Sequence, residues 1–246
     1  MTQFGFYFDQ SRCFSCRTCS VACRDWNDIS PGPVKYLRVF RWEKGAFPNT
    51  QLHALVVMCY HCQNPVCVEA ANGAMYKEEK YGAVLIDPDK ATSIDLRKAN
   101  EVCPYGTIAF ESDSINAKAS KCNMCIDRLE QGLKPVCVMS CPTRALDFGP
   151  IDELMKKYGT LKQLEDMPSA DLTKPAVVFK PRNVKKKLVP YDEAKALQLL
   201  SKRDPLPPVM QDPSSVSDLS AVATGKLVLK PANVKEAMLS TKDDMG

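Results

Sequence analysis

The spacing of the cysteines constrains this chain more than any other feature. Twelve cysteines occur in 246 residues, in four groups. These are Cys13-x-x-Cys16-x-x-Cys19-x-x-x-Cys23, then Cys59-x-x-Cys62 with Cys67, then a solitary Cys103 before Pro104, and finally Cys122-x-x-Cys125 with Cys137-x-x-x-Cys141 before Pro142. Disulfides, zinc sites and iron–sulfur clusters compete for such a set. Disulfide frameworks belong mostly to shorter secreted chains, and structural bridges seldom join the two cysteines of one C-x-x-C. A zinc ribbon uses two cysteines per knuckle and has no place for a third at the next step. A 4Fe–4S cubane does: three thiolates from one tight loop take three irons, and a distant cysteine takes the fourth.

In two-cluster ferredoxins the fourth cysteine of each C-x-x-C-x-x-C-x-x-x-C-P run ligates the other cluster. The first group has that spacing throughout, with Arg24 in place of the proline. Crossing the first and fourth groups gives one cluster held by Cys13, Cys16, Cys19 and Cys141. Its twin is held by Cys23, Cys122, Cys125 and Cys137. The second and third groups then give Cys59, Cys62, Cys67 and Cys103. Counting back from Cys103 in the standard spacing reaches Ala99, Leu96 and Ser93, and counting on from Cys67 reaches Ala71. All four ligands of one further cluster are therefore absent, while all four of its neighbour remain. Twelve cysteines divide into three complete sets. The vacated volume has to be filled, because a cavity destabilises, and the helix-forming "SIDLRKANEV" is expected to fill part of it. His61, between two ligands, is expected to be a hydrogen-bond donor near the cluster or a packed surface residue. Lys121, Arg128 and Arg144 read as ordinary surface charge.

The remaining composition excludes more than it suggests. A net charge of +4 is mild, and the one basic run, "VKKK" at 184–187, reads as solvated surface. Nothing else supports nucleic-acid binding. No apolar stretch approaches membrane-spanning length, and "MTQFGFYFDQSRCFSC" is not a secretory signal. The expected location is cytoplasmic, or exported by travelling with a partner that carries a signal. No phosphate-binding loop, dinucleotide fingerprint, nucleophile elbow or H-E-x-x-H appears, and every cysteine is assigned as a ligand. The residues point to electron transfer rather than substrate chemistry.

Aromatic and β-branched content predicts strands at 4–9, 34–43, 52–59 and 106–112, and a hairpin over 74–87. Short helices are expected near 121–131 and 151–158. From about 180 the composition shifts: 191–203 and 232–240 read as helices around a Pro-rich linker at 204–215. The expected fold class is α+β, with duplicated bacterial-ferredoxin-like two-cluster modules carrying insertions over 1–180. One pair is drawn from 3–33 with 113–150 and the other from 50–112. Residues 181–246 are expected to be either a partly ordered extension or a C-terminal extended arm that wraps a partner subunit.

Four segments, "GFYFDQSRCFSCRTCSVACRDWND", "CYHCQNPVCVEAANGAMY", "CPYGTI" and "KCNMCIDRLEQGLKPVCVMSCPTRALDFGPIDEL", occur in an order that resembles the iron–sulfur (beta) subunits of the dimethyl sulfoxide reductase molybdopterin family. The emptied cluster is similar to the three-cluster small subunits of the pyrogallol–phloroglucinol transhydroxylase type. The resemblance implies three 4Fe–4S clusters, a large molybdopterin-containing catalytic subunit with molybdenum or tungsten, and a membrane-anchor or soluble electron-donor partner. It implies that the Cys13 cluster lies nearest the catalytic subunit and the Cys59 cluster farthest. Two other readings stay open: a transhydroxylase-like enzyme on polyhydroxylated aromatics with no net redox change, and a free-standing polyferredoxin.

Overall fold

The computed structural model describes residues 2–46, 50–165 and 167–182, with Gln198 and Lys202. Its contacts divide the chain into Met1–Lys185 and Lys186–Gly246. The sequence expectations at 184–187, 191–203, 204–215 and 232–240 lie outside the described residues, apart from Gln198 and Lys202.

The first unit opens with β1 (Phe4–Asp9), followed by α1 (Thr18–Trp26), β2 (Leu37–Lys44), β3 (Gln51–Met58) and α2 (Val66–Ala70). Then come β4 (Met75–Lys77), β5 (Val84–Ile86), a single 3-10 turn at Pro88–Lys90, and α3 (Asp95–Val102). The chain continues through β6 (Ala109–Phe110), β7 (Ala119–Ser120), α4 (Ile126–Leu129), α5 (Val136–Met139), β8 (Leu146–Pro150), α6 (Ile151–Tyr158) and β9 (Val177–Lys180).

β1 is central because its aromatic residues are buried on both faces. Successive side chains of a strand point to opposite sides. Phe6 and Phe8 enter the main core with Val177 and Phe179, while Tyr7 joins Ile151, Leu154 and Val178 beneath α6. β8 pairs antiparallel with β1, Phe4 opposite Pro150, and β9 pairs parallel with it, Phe6 opposite Val177. Position 5 has to be glycine, since a Cβ there would collide with the Ala176 carbonyl. α6 carries acids in its first turn and lysines in its last, which suits the helix dipole. It lays Tyr158 flat on Tyr7 at 3.7 Å.

The β1–β8 pairing brings the strand that leads into the first cysteine group beside the strand that leaves the fourth. α1 packs on α5 directly below. α2 packs likewise on α3, next to the paired β4 and β5. The long hairpin β2–β3 runs in register from Leu37 opposite Met58 to Lys44 opposite Gln51.

Most of the expected strands are present with shifted ends, but the one expected over 106–112 shrinks to the two residues of β6. The helix expected over 121–131 is only α4. Met124 and Cys125 hold left-handed backbone, with φ of 62° and 50°, so no helix can form across them.

Candidate metal centre

Each C-x-x-C loop bends through left-handed backbone at residues other than glycine. Ser15 and Arg17 do so in the first loop, His61 in the second, and Met124 and Cys125 in the fourth. Such conformations are unfavourable and persist where the surroundings over-determine them. Alternation of right- and left-handed residues turns successive N–H groups to one side, making the concavity that holds anionic groups and iron–sulfur sites.

The donors around the sulfurs follow from that geometry. Backbone N–H groups of Ser15, Ser20, Met124 and Val136 donate to Cys13, Cys19, Cys122 and Cys125. The Ala145 N–H reaches the Cys141 sulfur at 3.3 Å. Hydroxyls add to these: Thr18 donates to Cys16 at 3.3 Å and Thr173 to Cys62, and Thr107 lies 3.7 Å from Cys103.

The twelve cysteines are all free thiols, and their electrostatic neighbours sort them. Cys19 is pushed up to about 12 by burial and then by Cys13, Cys141 and Cys16. Those four also line one small pocket, with Phe8, Val39 and Leu146 as part of its wall. Burial raises Cys137 well above the ordinary thiol value, with Cys122, Cys125, Cys23 and Cys19 adding to it. Cys62 is pushed up to about 12 by burial, then by Cys59, Cys67 and Cys103 despite the Thr173 hydrogen bond. The structure thus brings together Cys13, Cys16, Cys19 and Cys141; Cys23, Cys122, Cys125 and Cys137; and Cys59, Cys62, Cys67 and Cys103. Cys19 lies near enough to bear on Cys137, and Cys59 near enough to bear on Cys122, so the second set has a neighbour in each of the other two.

Among the described residues no three His, Cys, Asp or Glu side chains converge tightly enough for a single metal ion. Thiols pushed this far up are protonated at neutral pH unless a bound cation holds the thiolate. Thiols gathered in this way, with burial raising Cys13, Cys19, Cys23, Cys62, Cys67, Cys122, Cys125 and Cys137, form a donor set that fits a multi-iron group, whose binding displaces protons from its ligands.

The positions without cysteine form a different environment. Ala71, Leu96 and Ala99 are each fully buried, in a small apolar cluster with Ala74, Met75, Val84, Ile108 and Ala119 that Cys67 borders. Ser93 is half-buried in the turn before α3, where its carbonyl accepts the Leu96 N–H at 3.1 Å. Three of the four positions counted from the spacing come together in one compartment, and the fourth caps it.

Two sequence expectations need correction. His61 is fully buried rather than at the surface. Its Nδ1 accepts the Val84 N–H at 2.9 Å, and its Nε2 has no hydrogen-bond partner. Lys121 is not surface charge either, being 5% exposed, because β5 folds over it and takes its ammonium on the Val84 carbonyl. Arg144 is exposed as expected, while Arg128 is half-covered, stacked over Trp26 at 4.5 Å.

Sequence reasoning missed the cations that fasten the cysteine loops. Arg38 of β2 donates to the carbonyls of Tyr105 and Gly106 at 2.8 and 2.7 Å, just past Cys103. Lys77 of β4 donates to the carbonyl of Cys62 at 3.0 Å. Neither has a local signal, since each acts on a loop distant in sequence.

Comparison with known proteins points to iron–sulfur proteins. Residues 51–151 match the family model described as a 4Fe-4S dicluster domain. The B component of anaerobic dimethyl sulfoxide reductase from Escherichia coli strain K12 is 41% identical over 189 residues, covering 73% of this chain and 89% of the relative. The beta component of formate dehydrogenase 2 (cytochrome c-553) from Nitratidesulfovibrio vulgaris is 33% identical over 181 residues, covering 61% and 78%. The B component of sulfite dehydrogenase from Allochromatium vinosum is 34% identical over 174 residues, covering 62% and 71%.

Proposed function

The protein is a member of the family of iron–sulfur electron-transfer subunits typified by the B component of anaerobic dimethyl sulfoxide reductase, and from that premise we propose that it holds three 4Fe–4S clusters and relays electrons between a molybdopterin-containing catalytic subunit and a second redox partner. The observation that carries the reading is that the twelve thiols fall into three groups of four mutual neighbours, the second group adjoining both the others. When bound, each cluster supplies a site that takes up or gives back one electron without breaking a bond. The chain does the rest. Left-handed loops aim N–H groups at the sulfurs, the aromatic core around β1 keeps water from the middle set, and Arg38, Lys77 and Lys121 fix the loops by their carbonyls.

Cys16 is the exposed member of the first set, with Phe14 beside it 56% exposed. That end suits docking against the catalytic subunit. The Cys59 set adjoins a compartment filled by Leu96 and its alanines. We assign Cys59, Cys62, Cys67 and Cys103 as the terminal ligands, where electrons enter or leave. Among the described residues no helix is long and apolar enough to cross a membrane.

The filled compartment also favours a second reading, in which the complex is transhydroxylase-like and needs no exit for electrons. Anaerobic purification of the native complex tests both. A stable assembly containing molybdenum or tungsten that turns over oxo-acceptors only with an added electron donor supports the relay. Turnover of polyhydroxylated aromatics without any donor supports the second reading. A chain that purifies alone, fully loaded with iron, contradicts both.

A further inference from the structure

Lys121 is buried where a lysine is hard to accommodate. Its Nζ donates to the Val84 carbonyl and, at 2.8 Å, to the Cys122 carbonyl. Among the described residues no carboxylate pairs with it. A buried ammonium without counter-charge is strongly unfavourable, and two carbonyl dipoles only partly offset that. The negative charge it needs lies on either side. Its positive charge bears on Cys122 of the second set and on Cys67 of the third.

One strand residue joins the two sets around this lysine. The Val84 carbonyl accepts from Lys121, and its N–H donates to Nδ1 of His61, which sits between Cys59 and Cys62. The geometry points to Lys121 as a positioning residue for electron transfer, a fixed cation lodged between the second and third cysteine sets that holds both reduction potentials up together.

The inference rests on the reading of those sets as 4Fe–4S ligands. A cluster with its four thiolates carries about −2 when oxidised and takes on one more negative charge when reduced, so a neighbouring cation stabilises the reduced form. The step affected is a one-electron exchange, in which one side loses the electron that the other gains. Because Lys121 bears on both sides, it lifts the two potentials in parallel and leaves the difference between them little changed. One unit charge about 10 Å away, through an effective dielectric of about 20, alters such an equilibrium on the order of tenfold.

The test is an EPR-monitored redox titration of the intact complex, purified anaerobically as wild type, Lys121→Gln and Lys121→Arg, with iron measured per chain. In Lys121→Gln the midpoints of two of the three clusters should both fall. Each shift should be on the order of tenfold in the reduction equilibrium, or about 59 mV, and the third midpoint should hold. Lys121→Arg, which keeps the charge, should restore both. Unchanged midpoints in Lys121→Gln, or a shift in only one cluster, would overturn the proposal. So would loss of iron from both variants, since that would make Lys121 a folding residue. Failure of the underlying ligand reading shows separately, as a wild-type cluster count other than three.

Discussion

Leu96→Ala tests whether the compartment beside Cys67 is a built core or incidental packing. Leu96 is fully buried, in a cluster of eight residues of which Ala71, Ala74, Ala99 and Ala119 are alanines. Truncating a buried leucine destabilises by about 2.7 to 5.0 kcal/mol, depending on how far the site collapses. Alanines have no side chain to swing into the hole, so the value should fall in the upper half, about 4 kcal/mol. At about 1.4 kcal/mol per factor of ten, that is an increase of several hundredfold in the opened population. Hydrogen exchange reads this directly, because local units open with their own free energies. Protection of α3 amides such as Ala99 and Asn100 should fall several hundredfold, while Phe6 and Phe8 in the main core should change little. Leu96→Met, which conserves volume, should restore most of the protection. Unchanged α3 protection would refute the packing argument. An equal fall in β1 would show that the compartment is not an energetically separate unit.

Two further outcomes follow from the same structure. Cys141→Ser should alter the EPR signal of the Cys13 set and spare the set containing Cys137, although Cys137 is its neighbour in sequence; the opposite pattern would mean the loops are not crossed. Burial opposes ionisation of Asp147, but hydrogen bonds from Lys134 at 2.6 Å and Tyr158 at 2.7 Å outweigh it and hold the carboxyl below the usual carboxylate range. Its contribution is therefore present above the ordinary value of about 3.9 and lost as pH falls below it. Asp147→Asn should lower thermal stability by about 1 kcal/mol at neutral pH, discounted because Lys134 is half-exposed, and by nothing measurable at the acid end of the titration.

How much was legible in the sequence depended on whether the determining contact was local. Cysteine spacing was legible because three members of each proposed set sit on one or two short loops. β1 was legible as a strand in "FGFYFD" because of its aromatic content, while its central place between β8 and β9 depends on partners about 140 and 170 residues away. α4 was misjudged because left-handed backbone at Met124 and Cys125 leaves no mark in composition. Lys121 looked like surface charge because a lysine beside a cysteine usually is. What buries it is a carbonyl of Val84, 37 residues earlier. Arg38 was invisible for the same reason: it fastens a loop 67 residues away.

The central claim is that crossed loops hold three cubanes and that a fourth site has been replaced by side chains. Iron and acid-labile sulfide per chain, measured on the anaerobically purified native complex with the catalytic subunit's iron determined separately, test it most directly. The account predicts about twelve of each. A value of about sixteen, or about eight, would contradict it.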